Sequence, residues 1–429
     1  MFPVRTLISN PLTPVAIALC LVLPWAVVSA TGLTPGLIAT VGLSGLSILG
    51  AAFLLAWGAE TAEKDVSRSF AIAVLAVLAV APEYAVDALY AWEAGVAPGS
   101  VASIQAADLA VANMTGANRI LIGIGWSGTA LFTVYRAKKS RDLNVERVEG
   151  FLANRVRLDR ELSLEIVFLF AATLYAFFIP LTNSIAAHDM AILVGLYGLY
   201  IVFAIRTPAI ERGHTGVPAY FQSFRKSRRV ATVIGLFVVA GGVIFLAVEP
   251  FAHGLEEIGL QYGIPPFLMI QWVAPLASET PEFVIVIMLV IKARSSASFN
   301  ALISSKLNQW TLLIGTLVLV YSVSLGYYGA LPMGQRQSGE IWLTAAQSYF
   351  ALALLVDLRL SAREALALLT LFLVQLYPEF HHYEWLLAFT GLYLVLGTTL
   401  LIRRRDAFRQ LLAFARTRIR TAATPRSKR

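Results

Sequence analysis

The chain has 429 residues, of which 58% are hydrophobic and 14% charged, with a formal net charge of +8 and one cysteine. A soluble domain carries about 25% charged residues, and no polar run here is long enough to make one. Cys20 stands alone in an apolar run, which excludes disulfides within the chain and a cysteine metal site.

Apolar runs of about 20 residues recur along the chain, each long enough for a bilayer core of about 30 Å. In order they predict twelve spans: 13–31, 36–58, 69–92, 106–135, 163–182, 189–206, 230–249, 265–291, 299–326, 341–357, 361–378 and 384–402. The fold class is therefore all-α and polytopic. The first run has an alternative reading as a signal peptide, with Arg5 before it and Val28-Ser29-Ala30 as a cleavage site. Pro24 and the length of the run favour a span. The fourth and ninth runs are long for one crossing and rich in small and polar residues, which predicts a break or re-entrant turn in each. Amphipathic stretches lead into the third and eighth runs, at Trp57 to Phe70 and Phe251 to Phe267. Trp57, Trp92, Trp272 and Trp385 sit near span ends, as interfacial anchors do.

Charge placement orients the spans. With a cytoplasmic amino terminus, 31 of the 34 Lys and Arg fall on the cytoplasmic side, among them eight from Arg136 to Arg160, six from Arg206 to Arg229 and ten from Arg403 to Arg429. Arg336 falls outside, and Arg119 and Lys306 lie within spans. Short loops of membrane proteins show this asymmetry, so the net charge reads as topology plus a basic tail at an anionic leaflet and calls for no nucleic acid. Both termini and the loops at 136–162 and 207–229 are expected to be cytoplasmic.

Two segments resemble each other. One runs from Leu78 through Ala79-Val80-Ala81-Pro82-Glu83 to Asp87 and continues from Asp108 through Asn113, Gly116, Ala117 and Asn118 to Arg119. The other runs from Pro275 through Ser278-Glu279-Thr280-Pro281-Glu282 and continues from Phe299-Asn300 through Ser304, Ser305 and Lys306 to Asn308. Each places a Pro-Glu pair inside an apolar helix, then a second helix opened by small polar residues. The two Pro-Glu helices are the third and eighth spans, an odd five places apart, so the repeats have opposite topology, a common plan of secondary transporters. Proline frees a backbone carbonyl, which at membrane depth needs a partner such as a dehydrated cation, and the neighbouring carboxylate adds charge. A charge there costs about 2.5–3.5 kcal/mol on insertion scales. The structural alternative is a protonated glutamate bridging helices, or a kink alone. Matching pairs in opposed repeats favour an ion site.

These segments resemble the alpha repeats of the sodium/calcium exchanger (calcium/cation antiporter) superfamily, which carry Gly-Thr-Ser-x-Pro-Glu and Gly-Asn-x-x-Gly-Ser-Asn-x-x-Asn stretches. The likeness covers 78–121 and 275–308. It implies two inverted five-helix repeats with an extra helix at each end, and it implies Glu83 and Glu282 as ligands of the transported cation. Asn113, Ser278, Ser304 and Asn308 match further motif positions. Ala79, Val80 and Ala117 stand where the family has hydroxyls, which puts a sodium site in the first repeat in doubt. Asp87 and Glu279 share the faces of the motif glutamates at i+4 and i−3 spacing and extend the expected metal set. They are natural counter-ions for Arg119 and Lys306, which occupy equivalent places. Those two bases either snorkel to an interface or stand in for bound sodium, in which case coupling is to protons.

The expected division is an extra amino-terminal helix at 1–32, a first repeat at 33–206, a basic cytoplasmic loop at 207–229, a second repeat at 230–378, an extra helix at 379–402 and a basic cytoplasmic tail at 403–429. The expected function is secondary antiport of calcium or a related cation against protons or sodium by alternating access. The alternative is a non-transporting or channel-like protein on the same scaffold. The expected partners are inorganic cations and the bilayer of the plasma membrane, with no cofactor, and oligomeric state stays open. His381-His382 reads as a solvated belt, and His253 beside Glu256-Glu257 as a candidate vestibule. A phosphate loop, a nucleophile elbow and a His-Glu-x-x-His motif are all missing, which argues against ATP-driven transport and membrane proteolysis.

Overall fold

The computed structural model describes residues 11–66, 81–137, 142–206, 216–377 and 382–423. Residues 69–80 of the third expected span, with Ala79 and Val80, lie outside the described residues, as do Arg5, 207–215 of the basic loop, and His381. The chain forms two compact units, Met1–Leu89 with Pro208–Pro281, and Tyr90–Thr207 with Glu282–Arg429. Each unit takes part of both expected repeats, so the compact units cut across the boundaries at 33–206 and 230–378.

The first unit is built on three long helices: α1 (Leu12–Thr31), α2 (Leu37–Ala62) and α9 (Lys226–Gln261). Small residues bring them close. Gly50 lies against the Ala18 carbonyl, Gly45 against the Phe251 ring and Gly58 against Phe237. A Cβ at Gly50 would come within 2.7 Å of the Ala18 oxygen, so only glycine permits this approach of α1 to α2. Close contact through small residues is how helices associate in lipid, where burial of apolar surface supplies no drive. Polar glue adds to it: Trp25 Nε1 donates to the Leu246 carbonyl at 3.0 Å, and Ser47 Oγ to the Leu21 and Val22 carbonyls at 3.1 Å. Ala18, Val22, Ala51, Leu54, Leu55, Ala240, Val243 and Ile244 form the core between the three helices. The short helix α8 (Val217–Gln222) packs on α2.

Helix α9 corrects one boundary. The expected span at 230–249 and the amphipathic stretch from Phe251 form one helix of 36 residues that runs through Pro250. The stretch from Trp57 likewise continues α2 to Ala62. A single proline in a long membrane helix costs one backbone bond, and neighbouring helices can absorb that loss.

In the second unit, α4 (Val101–Ile120) passes without a loop through a π-helical turn (Leu121–Trp126) into α5 (Ser127–Arg136). Likewise α11 (Ser295–Asn308) passes through a π-helical turn (Gln309–Leu313) into α12 (Ile314–Leu325). The fourth and ninth expected spans are therefore neither broken nor re-entrant: each continues through a π-helical turn. Around them stand α6 (Ser163–Ala176), α7 (Ala187–Arg206), α13 (Gln335–Leu355), α14 (Ala362–Gln375) and α15 (Tyr383–Arg403). Helix α13 packs on α4, α6 and α15. Helix α3 (Ala81–Val96) and helix α10 (Ala274–Ile291) begin in the first unit and end in the second.

Two small sheets join loops of the second unit. Strands β1 (Val145–Glu146), β2 (Arg155–Arg157) and β5 (Arg359–Ser361) form an antiparallel sheet with Val145 opposite Val156 and Val156 opposite Leu360. Strands β3 (Ser184–Ile185) and β4 (Leu331–Pro332) pair antiparallel. The expected basic tail contains a further helix, α16 (Arg405–Ala423), which lies on α6 and α7. Its Phe408 ring meets Phe170 at 5.5 Å, and Phe414 lies under the Arg160 guanidinium at 5.0 Å.

Among the described residues seven helical segments are long and apolar enough to cross a membrane, or eight if the bent pair Pro266–Thr280 and Glu282–Ile291 counts as one span. Helices α4 and α13 carry buried polar side chains along their length, and α14 has 14 residues.

Candidate ion-binding site

The eight expected ligands divide between the units. Glu83, Asp87, Ser278 and Glu279 belong to the first, and Asn113, Glu282, Ser304 and Asn308 to the second. Glu83 and Asp87 lie one turn apart on α3, and both are buried, as is Glu279 on α10. Three acids excluded from solvent inside apolar helices are costly and mark an ion pathway or site by default. Asn113 on α4 and Asn308 on α11 are also buried, while Ser278, Glu282 and Ser304 are half-buried.

In the second unit Glu282 Oε2 accepts a hydrogen bond from Ser305 Oγ at 2.8 Å. The neighbouring Ser304 lies instead beside the Tyr200 hydroxyl, which donates to Glu165 at 3.4 Å. Successive helical residues point about 100° apart, so the two serines serve different neighbours. The motif match falls on Ser304, while the hydroxyl that touches Glu282 is that of Ser305.

The two bases within the spans are fully buried, so neither snorkels to an interface. Lys306 Nζ donates to the side-chain oxygen of Asn118 at 2.7 Å and to its backbone carbonyl at 3.2 Å, and it lies 4.4 Å from the centre of the Trp310 ring. Asn118 is aimed by its own amide, which donates to the Met114 carbonyl at 2.8 Å. Arg119 Nη2 meets Glu340 Oε2 at 2.6 Å, with both side chains at 0% exposure. Gln347 Nε2 donates to the Arg119 backbone carbonyl at 3.3 Å, so α13 holds both ends of this residue. Glu340 was not anticipated: it sits one residue before the expected span at 341–357. The signal was a run of polar side chains, Gln337, Ser338, Thr344, Gln347 and Ser348, at helical spacings through apolar sequence.

Both bases lie just before the π-helical turns, Arg119 two residues before Leu121 and Lys306 three before Gln309. Such turns recur at functional sites. The first needs glycine: a Cβ at Gly123 would stand 2.2 Å from the Phe372 ring.

Within either unit no three His, Cys, Asp or Glu side chains among the described residues cluster closely enough to hold a metal ion by themselves. A calcium ion takes 6–8 oxygen ligands. Carboxylates in pairs would have to be completed by amide, hydroxyl and backbone oxygens.

Apolar helices enclosing acids, amides and bases define a polytopic membrane protein with an ion-handling interior. The chain belongs to the sodium/calcium exchanger family, whose model, described as sodium/calcium exchanger protein, matches residues 36–206 and 232–379. It is an integral membrane transporter of cations and not an enzyme. The chain is similar to the H+/Ca2+ exchanger CAX, with 42% identity and a TM-score of 0.87 over 96% of this chain and 99% of that one. The fold is shared with the Ca2+/H+ antiporter protein YfkE, at 14% identity and a TM-score of 0.57 over 84% of this chain and 99% of that one. It is also shared with the sodium-calcium exchanger NCX_Mj, at 15% identity and a TM-score of 0.50 over 80% and 99%. No curated protein matches the chain.

Proposed function

We propose that this protein exchanges Ca2+ for H+ across the plasma membrane by alternating access. The observation that carries the choice of proton is the Lys306 ammonium seated on two oxygens of Asn118. Amide and carbonyl oxygens are what a dehydrated Na+ would take, and here a tethered cation already holds them. Ala79, Val80 and Ala117 remove further hydroxyls that a sodium site would use. The similarity to a protein named as an H+/Ca2+ exchanger supports the same reading.

In this reading Glu83 and Glu282 ligate Ca2+. Asp87, Glu279, Asn113, Ser278, Ser304 and Asn308 complete or flank the site. A carboxylate stripped of its cation at membrane depth is costly, and a proton removes that charge when Ca2+ leaves. The layout is twelve spans, five in each of two inverted repeats, 33–206 and 230–378, plus an extra helix at 1–32 and at 379–402, with both termini cytoplasmic.

The test is Ca2+ flux in proteoliposomes with no sodium on either side. An imposed pH gradient should drive Ca2+ uphill, and dissipating it should stop the flux. Flux that requires a sodium gradient and ignores pH would refute proton coupling.

A further inference from the structure

Away from the ion site, in the second unit, a cavity of about 90 Å³ is lined by Arg155, Asp357, Arg359, Ser361, Arg363, Glu364 and Arg404. Four arginines and two acids line it, and with Glu146, the partner of Arg359, four positive charges meet three negative ones. The ion pairs fall on particular residues. Arg404 engages both carboxylates, Asp357 at 3.5 Å and Glu364 in a closer pair, and it donates to the Leu354 carbonyl at 2.8 Å. Arg359 pairs at 3.1 Å with Glu146, which lies outside the cavity lining on β1. Arg155 and Arg363 have no ion pair or side-chain hydrogen bond among the described residues.

The backbone holds these two bases in place. Arg155 stands in β2 opposite Ser361 of β5, and the Arg363 amide donates to the Leu152 carbonyl at 3.2 Å. Ser361 closes the start of α14 in a reciprocal cap with Glu364, so the cap is satisfied without a ligand. The apolar span α15 ends at Arg403, and the next residue, Arg404, lines the cavity. On the proposed layout this end of α15 lies at the depth of lipid headgroups.

We propose that this cavity binds a phosphate-bearing dianion, held by the forked guanidinium groups of Arg155 and Arg363. Planar guanidinium groups match phosphate oxygens two at a time. The volume admits several waters or one phosphate group, and the anion would meet the two arginines that carry no ion pair. The ligand would bridge β2 to the first turn of α14, fastening the 142–162 loop to the α13–α14 turn. Its source is a phosphomonoester lipid headgroup or free phosphate, which share this chemistry. The proposal does not depend on which ions the protein exchanges.

The test uses the full chain in nanodiscs of phosphatidylcholine, with phosphatidic acid added in one arm and inorganic phosphate titrated in the other. Thermal unfolding is compared for wild type, Arg363→Gln, and Arg155→Gln with Arg363→Gln. Stabilisation by phosphatidic acid alone identifies the headgroup, and stabilisation by inorganic phosphate identifies the free anion. In either case the double variant should need at least about tenfold more ligand for the same shift, with Arg363→Gln between. Because Arg363 is exposed, the single variant keeps the test valid if the double variant folds poorly. No stabilisation of wild type by either ligand, or equal responses from wild type and variants, would overturn the proposal.

Discussion

Removing Glu340 should be among the most damaging single changes in the second unit. Its carboxylate lies 2.6 Å from the Arg119 guanidinium, and neither side chain is reached by solvent. Deleting one partner of such a pair leaves a buried charge uncompensated and costs about 3–5 kcal/mol. That is a roughly hundred- to several-thousand-fold change in the folded population at about 1.4 kcal/mol per factor of ten. Against a typical total stability of about 5–15 kcal/mol, Glu340→Leu should leave the protein marginal. Glu340→Gln should cost less, because its amide oxygen still accepts from Arg119. Arg119→Met with Glu340→Leu should recover most of the loss, since an apolar replacement for a whole buried pair is often neutral or stabilising. The assay is equilibrium unfolding by SDS titration in mixed micelles for the four members of this double-mutant cycle. Two results would refute the reasoning: a cost below about 1 kcal/mol for Glu340→Leu, or a double variant as unstable as the two single losses added together.

Four further outcomes are expected. Glu83→Gln and Glu282→Gln should each abolish Ca2+ flux while keeping the wild-type elution profile in detergent, because the amide keeps the shape and removes the charge. Retained flux in either variant removes that glutamate from the ligand set. Gly123→Ala should cost about 1–3 kcal/mol by overpacking against Phe372, and Phe372→Leu should relieve much of it in the same unfolding assay. Asp65 is held below the ordinary aspartate range by the hydrogen bond from Arg229, whose Nε and Nη2 reach its two oxygens at 2.6 and 2.5 Å. Its contribution should therefore be complete above the unfolded pKa of about 3.9 and vanish as pH falls through the lower folded value. The melting temperatures of wild type and Asp65→Asn should accordingly differ at neutral pH and converge in acid. In a Cys20-free background, a cysteine at Ser184 should label from outside and one at Ser227 should not; the reverse pattern would invert the proposed topology.

The apolar runs of the sequence already determine much of the helical architecture. Helices stand at most of the expected spans, seven of them among the described residues long and apolar enough to cross a membrane, because a run of about 20 apolar residues has no stable alternative in lipid to a helix that satisfies its own backbone. The acids were legible too: a carboxylate inside such a run is conspicuous, and Glu83, Asp87 and Glu279 are all buried. What stayed hidden depended on which surfaces meet. Arg119 pairs with Glu340, 221 residues away, and no local spacing encodes that encounter. Which of Ser304 and Ser305 meets Glu282 turns on helix rotation, set by packing of α11 against α6. The π-helical turns shift the hydrogen-bond ladder by one residue, which leaves the apolar pattern almost unchanged. Strands of two and three residues are too short to show alternation, so the sheet that seats Arg155 over α14 could not be foreseen. Helix α16 looked like a tail because its net charge masked the face formed by Phe408, Leu411 and Ala415, and only docking on α6 and α7 shows that face in use. Local sequence decides which segments must leave water, since that cost is summed along the chain; their partners are decided by shape and charge between segments far apart in it.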